Sequence, residues 1–251
     1  EATCFQTGSN QWKTYSTWPP KEATIKKLYA GANQTASFTK PAASSTIGYE
    51  SYISDPAKPV PYRTLPIEAT YGNGSRWKPW QVEDQRFVYT RPDVLSFTMD
   101  SLTEDITVTG KIMAHLFAST SGTDADWVVK LIDVYPAFNT EDISLSGYQL
   151  PVAMEVFRGR YRKSFANPVP MFPNRPEEFV IDLHDINHTF KKGHRIMIQV
   201  QSTWFPLIDR NPQKYVPNIF EAKESDFIKA TQRIYISAQY ATYIALPVMK
   251  N

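Results

Sequence analysis

The sequence predicts an all-β domain built as a sandwich of two antiparallel sheets. Many short segments alternate apolar and polar residues with the period of a β-strand, and clusters of turn-forming residues separate them. Neither a strand–helix alternation nor a repeat of fixed length is present. The 251 residues include 14 Tyr, 14 Phe and 6 Trp, with 19 Pro against 10 Gly, a composition typical of aromatic strands joined by stiff loops. This length fits one large all-β domain or two small ones.

The first 83 residues divide into two parts. Residues 1–40 hold three short strand-like segments, which we expect to be edge or cover strands. Residues 41–83 are rich in Pro, Ser, Gly, Asn and Tyr, which predicts a long loop without regular structure. We expect this loop to be functional, because a solvated linker does not keep so many aromatic side chains. They are Tyr49, Tyr52, Tyr62, Tyr71, Trp77 and Trp80.

The main sandwich is expected over residues 84–251. The clearest strand is 106–119, where Ile106, Val108, Ile112, Ala114 and Leu116 share one face. Residues 125–135 are almost continuously apolar, which predicts a strand buried on both faces. Only residues 219–228 have the composition of a short helix. Further strands are predicted at 86–90, 94–99, 148–162, 179–183, 195–202, 233–237 and 241–246.

The stretch 193–212 combines a strand with a polar loop. Its alternation places Ile196, Ile198 and Val200 against the core, and the sequence Trp204-Phe205-Pro206 then ends the strand. The polar residues that follow are interpreted in two ways: they latch the loop through backbone hydrogen bonds, or they dock it on another domain. The inter-domain candidates are Trp77, Trp80, Trp204, Phe205, Asp209, Arg210 and Asn211.

No catalytic residue is assigned. The sequence lacks the G-x-S-x-G nucleophile turn, the H-E-x-x-H zinc motif and both glycine-rich nucleotide-binding motifs. Asp124, Asp126 and Asp133 are close in sequence and are candidates for a pair of acids that would catalyse glycoside or ester hydrolysis. We expect carboxylates at such a strand start to face solvent or to bind a neighbouring arginine.

His184, His188 and His194 are candidates for a zinc site. We interpret 186–189 instead as part of a polar connection between strands, and no cysteine accompanies the histidines. The sequence therefore predicts neither a metal nor a cofactor. Cys4 is the only cysteine, so an intrachain disulfide is excluded.

Charge and hydropathy limit the classes of partner that the chain can be expected to bind. The formal net charge is +2, which gives no electrostatic footprint for nucleic acid or an anionic membrane. There is no apolar run of 18 residues, so no membrane span is predicted. The chain starts at Glu1 rather than at a methionine, and we expect it to be a processed product or a piece of a longer protein.

Several long motifs give the chain a family resemblance. They are TGSNQWKTYSTWPP at 7–20, DPAKPVPYR at 55–63, EDQRFVYTRPDVLSFT at 83–98, TEDITVTGKIMAHLFASTSGTDADWVVKLIDVYP at 103–136, RGRYRKSF at 158–165, GHRIMIQVQSTWFPLIDRNPQ at 193–213 and the closing IALPV. In this order they resemble the C-terminal domain of the α-amino acid ester hydrolases. That family is grouped with cocaine esterase, the glutaryl-cephalosporin acylase-like enzymes and the X-Pro dipeptidyl peptidases.

The resemblance implies one C-terminal domain over 1–251, a jelly-roll sandwich of the galactose-binding-like type. It packs on an α/β-hydrolase domain with a Ser, Asp and His triad and a helical cap, all N-terminal to this segment. The implied enzyme is a serine hydrolase of α-amino acid esters and β-lactam amides, in the periplasm or secreted. Within the DPAKPVPYR motif, Tyr62 and Arg63 are implied to lie near the acyl pocket; the alternative is a compact cover loop that packs its aromatic side chains on the sandwich.

Two further expectations concern the isolated chain. It should lack esterase activity, because nucleophile and base are both missing. Without the catalytic domain an apolar patch should be exposed and favour a homo-oligomer. The alternative function is a carbohydrate-binding module, which fold analogy alone supports.

Overall fold

The computed structural model describes residues 1–43, 47–67, 73–75 and 79–250. This part of the chain contains thirteen β-strands and one α-helix, α1, of only four residues at Arg86–Tyr89. The strands are β1 Ala2–Gln6, β2 Gln11–Tyr15, β3 Thr24–Ala30, β4 Ala36–Ser37, β5 Tyr49–Ser54, β6 Leu95–Thr98, β7 Ile106–Thr120, β8 Asp126–Val134, β9 Gln149–Arg158, β10 Glu177–Phe190, β11 Arg195–Gln201, β12 Ala230–Tyr235 and β13 Tyr243–Val248. Short 3₁₀ turns lie at Ala32–Gln34, Trp80–Val82, Ile143–Leu145, Gly159–Tyr161, Ile219–Glu221 and Glu224–Asp226. No helix in these described ranges is long and apolar enough to cross a membrane.

The strands form two main antiparallel sheets, as the sequence predicts. The larger has seven strands in the order β4-β3-β13-β7-β12-β5, with β10 paired to β7, and the smaller has the order β6-β11-β8-β9. Strands β1 and β2 form a separate hairpin. Strand β7 organises the larger sheet, because its 15 residues pair with β10, β12 and β13. The prediction of an all-β sandwich is confirmed.

The core lies between the two sheets and contains the predicted faces. Val108, Ile112, Ala114 and Leu116 of β7 are buried, whereas Lys111, Met113 and His115 on the other face are more exposed. Every residue of β8 is buried, which confirms that both of its faces are covered. Ile196, Ile198 and Val200 of β11 are likewise in the core. Burial of such side chains contributes about 1.5–3 kcal/mol each.

The three strand segments predicted in residues 1–40 are present as β2, β3 and β4, but other predictions for the first 90 residues are wrong. Residues 41–83 are not wholly irregular, because β5 pairs with β12 and places Tyr52 and Ser54 inward. Residues 86–90 form α1 instead of a strand, since Val88 alone needs burial and the turn at 84–86 is closed by Asp84. Strand β3 is not a cover strand either, because it lies inside the large sheet between β4 and β13.

Two other predictions are corrected later in the chain. Residues 186–189 belong to β10, which pairs with β7 up to Phe190 and passes an irregularity between Asp182 and Asp185. The stretch looked like a polar turn because its buried residues include polar ones: His188 bonds to Asp133 and Thr189 bonds to Thr107. Residues 219–228 form two 3₁₀ turns, not a helix.

The sandwich is open along one side. Strand β9 is the edge of the four-stranded sheet. In the described ranges, β10 pairs with β7 on one side and on the other forms a single bridge, between His188 and Thr7. These two edge strands contact each other across the gap between the sheets.

Candidate docking surface

The structure brings together two loops that the sequence analysis singled out. The Tyr62 N–H donates to the Phe205 carbonyl at 3.0 Å, and the Phe205 N–H donates to the Val60 carbonyl at 3.0 Å. The Val60 N–H donates to the Thr203 hydroxyl at 2.7 Å. We call residues 59–67 and 203–210 the paired loops. Each loop satisfies backbone groups that the other would leave buried and unbonded, so they are positioned as a unit.

Aromatic rings form the inner layer of the paired loops. Trp80 contacts Tyr62 and Trp204 edge to face, with ring centroids 5.7 and 6.0 Å apart. Tyr62 and Trp204 are each only 5% exposed, and they pack with Val128 of β8. The expected patch of exposed rings is therefore smaller than the sequence predicts, because these two rings belong to the domain's own core.

Apolar side chains are exposed on the paired loops and on the Trp80–Val82 turn that packs on them. Leu65 is 65% exposed, Val82 47% and Phe205 39%, and Trp80 is half-buried beside them. We call Leu65, Val82 and Phe205 the docking surface. Trp77, another inter-domain candidate, lies outside the described residues.

Arg63 points inward and is buried. Its Nε atom lies 3.6 Å from the Glu83 carboxylate, which also accepts the Thr64 hydroxyl at 2.6 Å. This buried pair fixes the loop that carries Tyr62. Neither Tyr62 nor Arg63 presents its side chain to solvent in this structure.

The polar residues after Trp204 latch the loop to the sandwich. Asn211 donates to Asp126 at 2.8 Å, and Arg158 donates to Asp126 at 3.0 Å and to Asp209 at 3.0 Å. Arg210 donates to the Pro56 carbonyl at 2.9 Å. Burial raises the pKa of Asp126 to about 6, although Arg158 and Asn211 oppose this shift. These contacts hold the loop mainly through side chains, and Asp126 is buried and bound by Arg158, which is one of the two outcomes expected from the sequence.

A buried lysine lies beneath the aromatic layer. Lys130 of β8 donates to the side-chain oxygens of Gln85 at 2.8 Å and Gln199 at 3.1 Å, and its Nζ lies 5.7 Å from the Trp204 ring. Burial lowers the pKa of Lys130 to about 7. Both hydrogen-bond partners are neutral amides, so they satisfy the ammonium group without balancing its charge.

The three histidines do not form a metal site. His188 and His194 bind the two oxygens of Asp133, at 3.2 and 2.8 Å, and His188 also bonds to the Thr7 hydroxyl at 2.7 Å. Burial alone would raise the pKa of Asp133, but these hydrogen bonds and charges lower it. His184 is separate and bonds to Glu155 at 2.8 Å. Within the described ranges, no three acidic, His or Cys side chains are grouped to hold a metal ion.

Comparisons with known proteins show which family the domain belongs to. The family model for the X-Pro dipeptidyl-peptidase C-terminal non-catalytic domain matches residues 2–245. Cocaine esterase of Rhodococcus sp. (strain MB1 Bresler) is 31% identical over 253 residues, which cover 98% of this chain and 41% of that protein.

Two solved structures are similar in both fold and sequence. An aminopeptidase from the marine sediment archaeon Thaumarchaeota archaeon superimposes with a TM-score of 0.96 and 47% identity, over 99% of this chain and 40% of that one. An α-amino acid ester hydrolase gives a TM-score of 0.94 and 49% identity, over 98% and 40%.

The chain thus spans about 40% of the length of these relatives. The family resemblance predicted from the motifs is confirmed. The chain belongs to the family of X-Pro dipeptidyl-peptidase C-terminal non-catalytic domains.

Proposed function

We propose that this domain is the C-terminal part of a serine hydrolase that acts on α-amino acid esters and β-lactam amides of the cephalosporin type. It packs on the α/β-hydrolase domain of the same polypeptide and helps to wall the acyl pocket. The observation that carries the proposal is the exposed apolar docking surface on the paired loops and the adjacent Trp80–Val82 turn, in a chain that spans about 40% of the length of the relatives described above. One of these relatives is an α-amino acid ester hydrolase.

The construction of the paired loops supports a docking role. An exposed apolar surface costs solubility in an isolated domain and is stabilising once a partner covers it. Here the surface rests on a rigid base, because the latch through Asp126, Arg158 and Asn211 holds one loop and the Arg63–Glu83 pair holds the other. A surface fixed in this way loses little conformational entropy on docking.

The same construction defines the proposed wall of the acyl pocket. Tyr62 and Arg63 are buried, so we assign them the positioning of the loop. We assign contact with the acyl group to Thr64 and Leu65, the exposed residues that follow. Because hydrophobic contacts discriminate acyl groups by about 1–3 kcal/mol per methylene-sized change, a substitution here should act on specificity.

The test uses the complete polypeptide and two exposed apolar residues. Leu65→Ala is compared with Phe172→Ala, since Phe172 is 57% exposed and lies outside the paired loops. The ratio of kcat/KM for an α-amino acid methyl ester to kcat/KM for a cephalosporin should change about threefold or more in Leu65→Ala and stay constant in Phe172→Ala.

Two outcomes would contradict the proposal. If the ratio is unchanged in Leu65→Ala, the paired loops do not wall the acyl pocket. If the complete polypeptide hydrolyses neither substrate, the assigned reaction is wrong.

A further inference from the structure

A groove opens on the side of the sandwich where the two sheets do not meet. It lies between the edge strands β9 and β10 and has a volume of about 620 Å³, within the range of small-molecule sites. None of Leu65, Val82 and Phe205 lines it, although Ile208 and Asp209 at the end of the paired loops do, so the groove borders the docking surface without including it. Most of its wall is apolar, from Val156, Phe157, Tyr161, Phe165, Val180 and Ile208.

One aromatic side chain in the wall is unusually exposed. Phe165 is 79% exposed, yet its ring is held by Tyr161, stacked at 6.0 Å, and by Phe157, edge to face at 6.2 Å. A phenyl ring that is both fixed and open to solvent offers a ready face for a flat apolar group or for a cation.

The groove also carries an excess of negative charge. Four carboxylates line it, from Asp126, Glu155, Asp182 and Asp209. Arg158 neutralises only one charge of the Asp126–Asp209 pair, and Lys111 binds Asp182 at 2.7 Å. His184 bonds to Glu155, and the groove remains net negative whether that imidazole is neutral or charged.

We propose that this groove binds an organic cation with an aromatic body, such as a primary arylalkylamine. The aromatic body of the ligand lies on Phe165 and Val180. The ammonium group lies near Glu155, where the negative charge of the carboxylate attracts it. A sugar fits less well, because hydroxyl groups need free hydrogen-bonding partners. Here Arg158, the guanidinium donor in the wall, is engaged by Asp126 and Asp209. Each Glu155 oxygen accepts one hydrogen bond, from His184 or from the Val156 N–H, and can accept a second from an ammonium group.

The test compares two ligands that share a ring and differ in charge. Tryptamine and indole-3-propionate are titrated into the 251-residue chain by calorimetry at low ionic strength, with cellobiose and galactose as sugar probes. Tryptamine should bind about tenfold or more tightly than indole-3-propionate, and 0.5 M NaCl should weaken its binding, because exposed charge contacts are screened by salt.

Matched variants locate the site. Glu155→Gln and Phe165→Ala should each weaken tryptamine binding about threefold or more. Glu141→Gln removes the same charge from an exposed position outside the groove, and Phe220→Ala removes an 86% exposed ring elsewhere, so both should bind like the parent chain. Circular dichroism confirms that each variant is folded.

Three results would overturn the inference. They are equal affinity for the two indoles, tryptamine binding that is unaffected by both groove variants, and sugar binding that Phe165→Ala abolishes.

Discussion

Lys130 gives the sharpest prediction about stability. It is completely buried beneath Trp204, with the amide oxygens of Gln85 and Gln199 as hydrogen-bond acceptors. Its folded-state pKa is lowered to about 7 from 10.5, whereas the unfolded chain keeps the ordinary value. Between these two pH values the unfolded state binds the extra proton. The free energy of unfolding therefore rises with pH across this window, and the cost of the buried charge is present in full below pH 7.

The magnitude follows from the shift. Each unit of pKa difference corresponds to about 1.4 kcal/mol, so raising the pH from 7 to 9 should stabilise the parent chain by about 2 kcal/mol through Lys130 alone. Lys130→Met has no such proton to lose. It leaves the Gln85 and Gln199 oxygens without a donor, at a cost of about 1–3 kcal/mol each, but this cost does not depend on pH.

The assay is urea unfolding of the parent chain and of Lys130→Met at pH 7, 8 and 9. All other titrating groups are common to both proteins, so the difference between the two unfolding free energies isolates Lys130. That difference should move by about 2 kcal/mol in favour of the parent chain from pH 7 to pH 9. Parallel pH profiles would show that Lys130 is not a buried, charge-destabilised lysine.

Two further substitutions test the buried polar network and the close backbone approach. Arg160→Met removes the ionic partner of the fully buried Asp124, 2.6 Å away, and should lower the free energy of unfolding by about 3–5 kcal/mol, whereas Lys214→Met, from an exposed pair, should cost much less. Gly122→Ala places a methyl group against a backbone carbonyl oxygen and should lower Tm by several degrees, whereas Gly48→Ala meets only an ordinary contact and should be nearly neutral. Equal effects within either pair, measured by thermal and urea unfolding, would contradict the assigned contacts.

Most of the sandwich could be predicted from the sequence, because apolar residues recur along its strands at the positions that are buried. Strands β7, β8 and β11 have one or two buried faces, and period or continuity identifies them without knowledge of their partners. Strand β5 was missed because hydropathy does not follow burial along it: Ile53 is exposed, whereas Ser54 is buried. Its partner β12 is about 180 residues away, so nothing local reveals the pairing.

The candidate surface was predicted in part. Aromatic and proline content pointed to both paired loops, but the sequence did not show that they bond to each other or that Tyr62 and Trp204 face inward. That outcome depends on Val128 and Trp80, which neither loop contains. Asp133 was likewise considered with its sequence neighbours, although its partners His188 and His194 lie 55 and 61 residues away.

The central claim is that the paired loops dock this domain on the rest of a longer polypeptide. Hydrogen–deuterium exchange of the 251-residue chain and of the complete polypeptide tests it most directly. Amides of residues 64–67, 80–82 and 205–208 should exchange at least about tenfold more slowly in the complete polypeptide, while those of 219–226 should exchange at the same rate in both. Equal exchange at the paired loops, with protection on another face of the sandwich, would contradict the account.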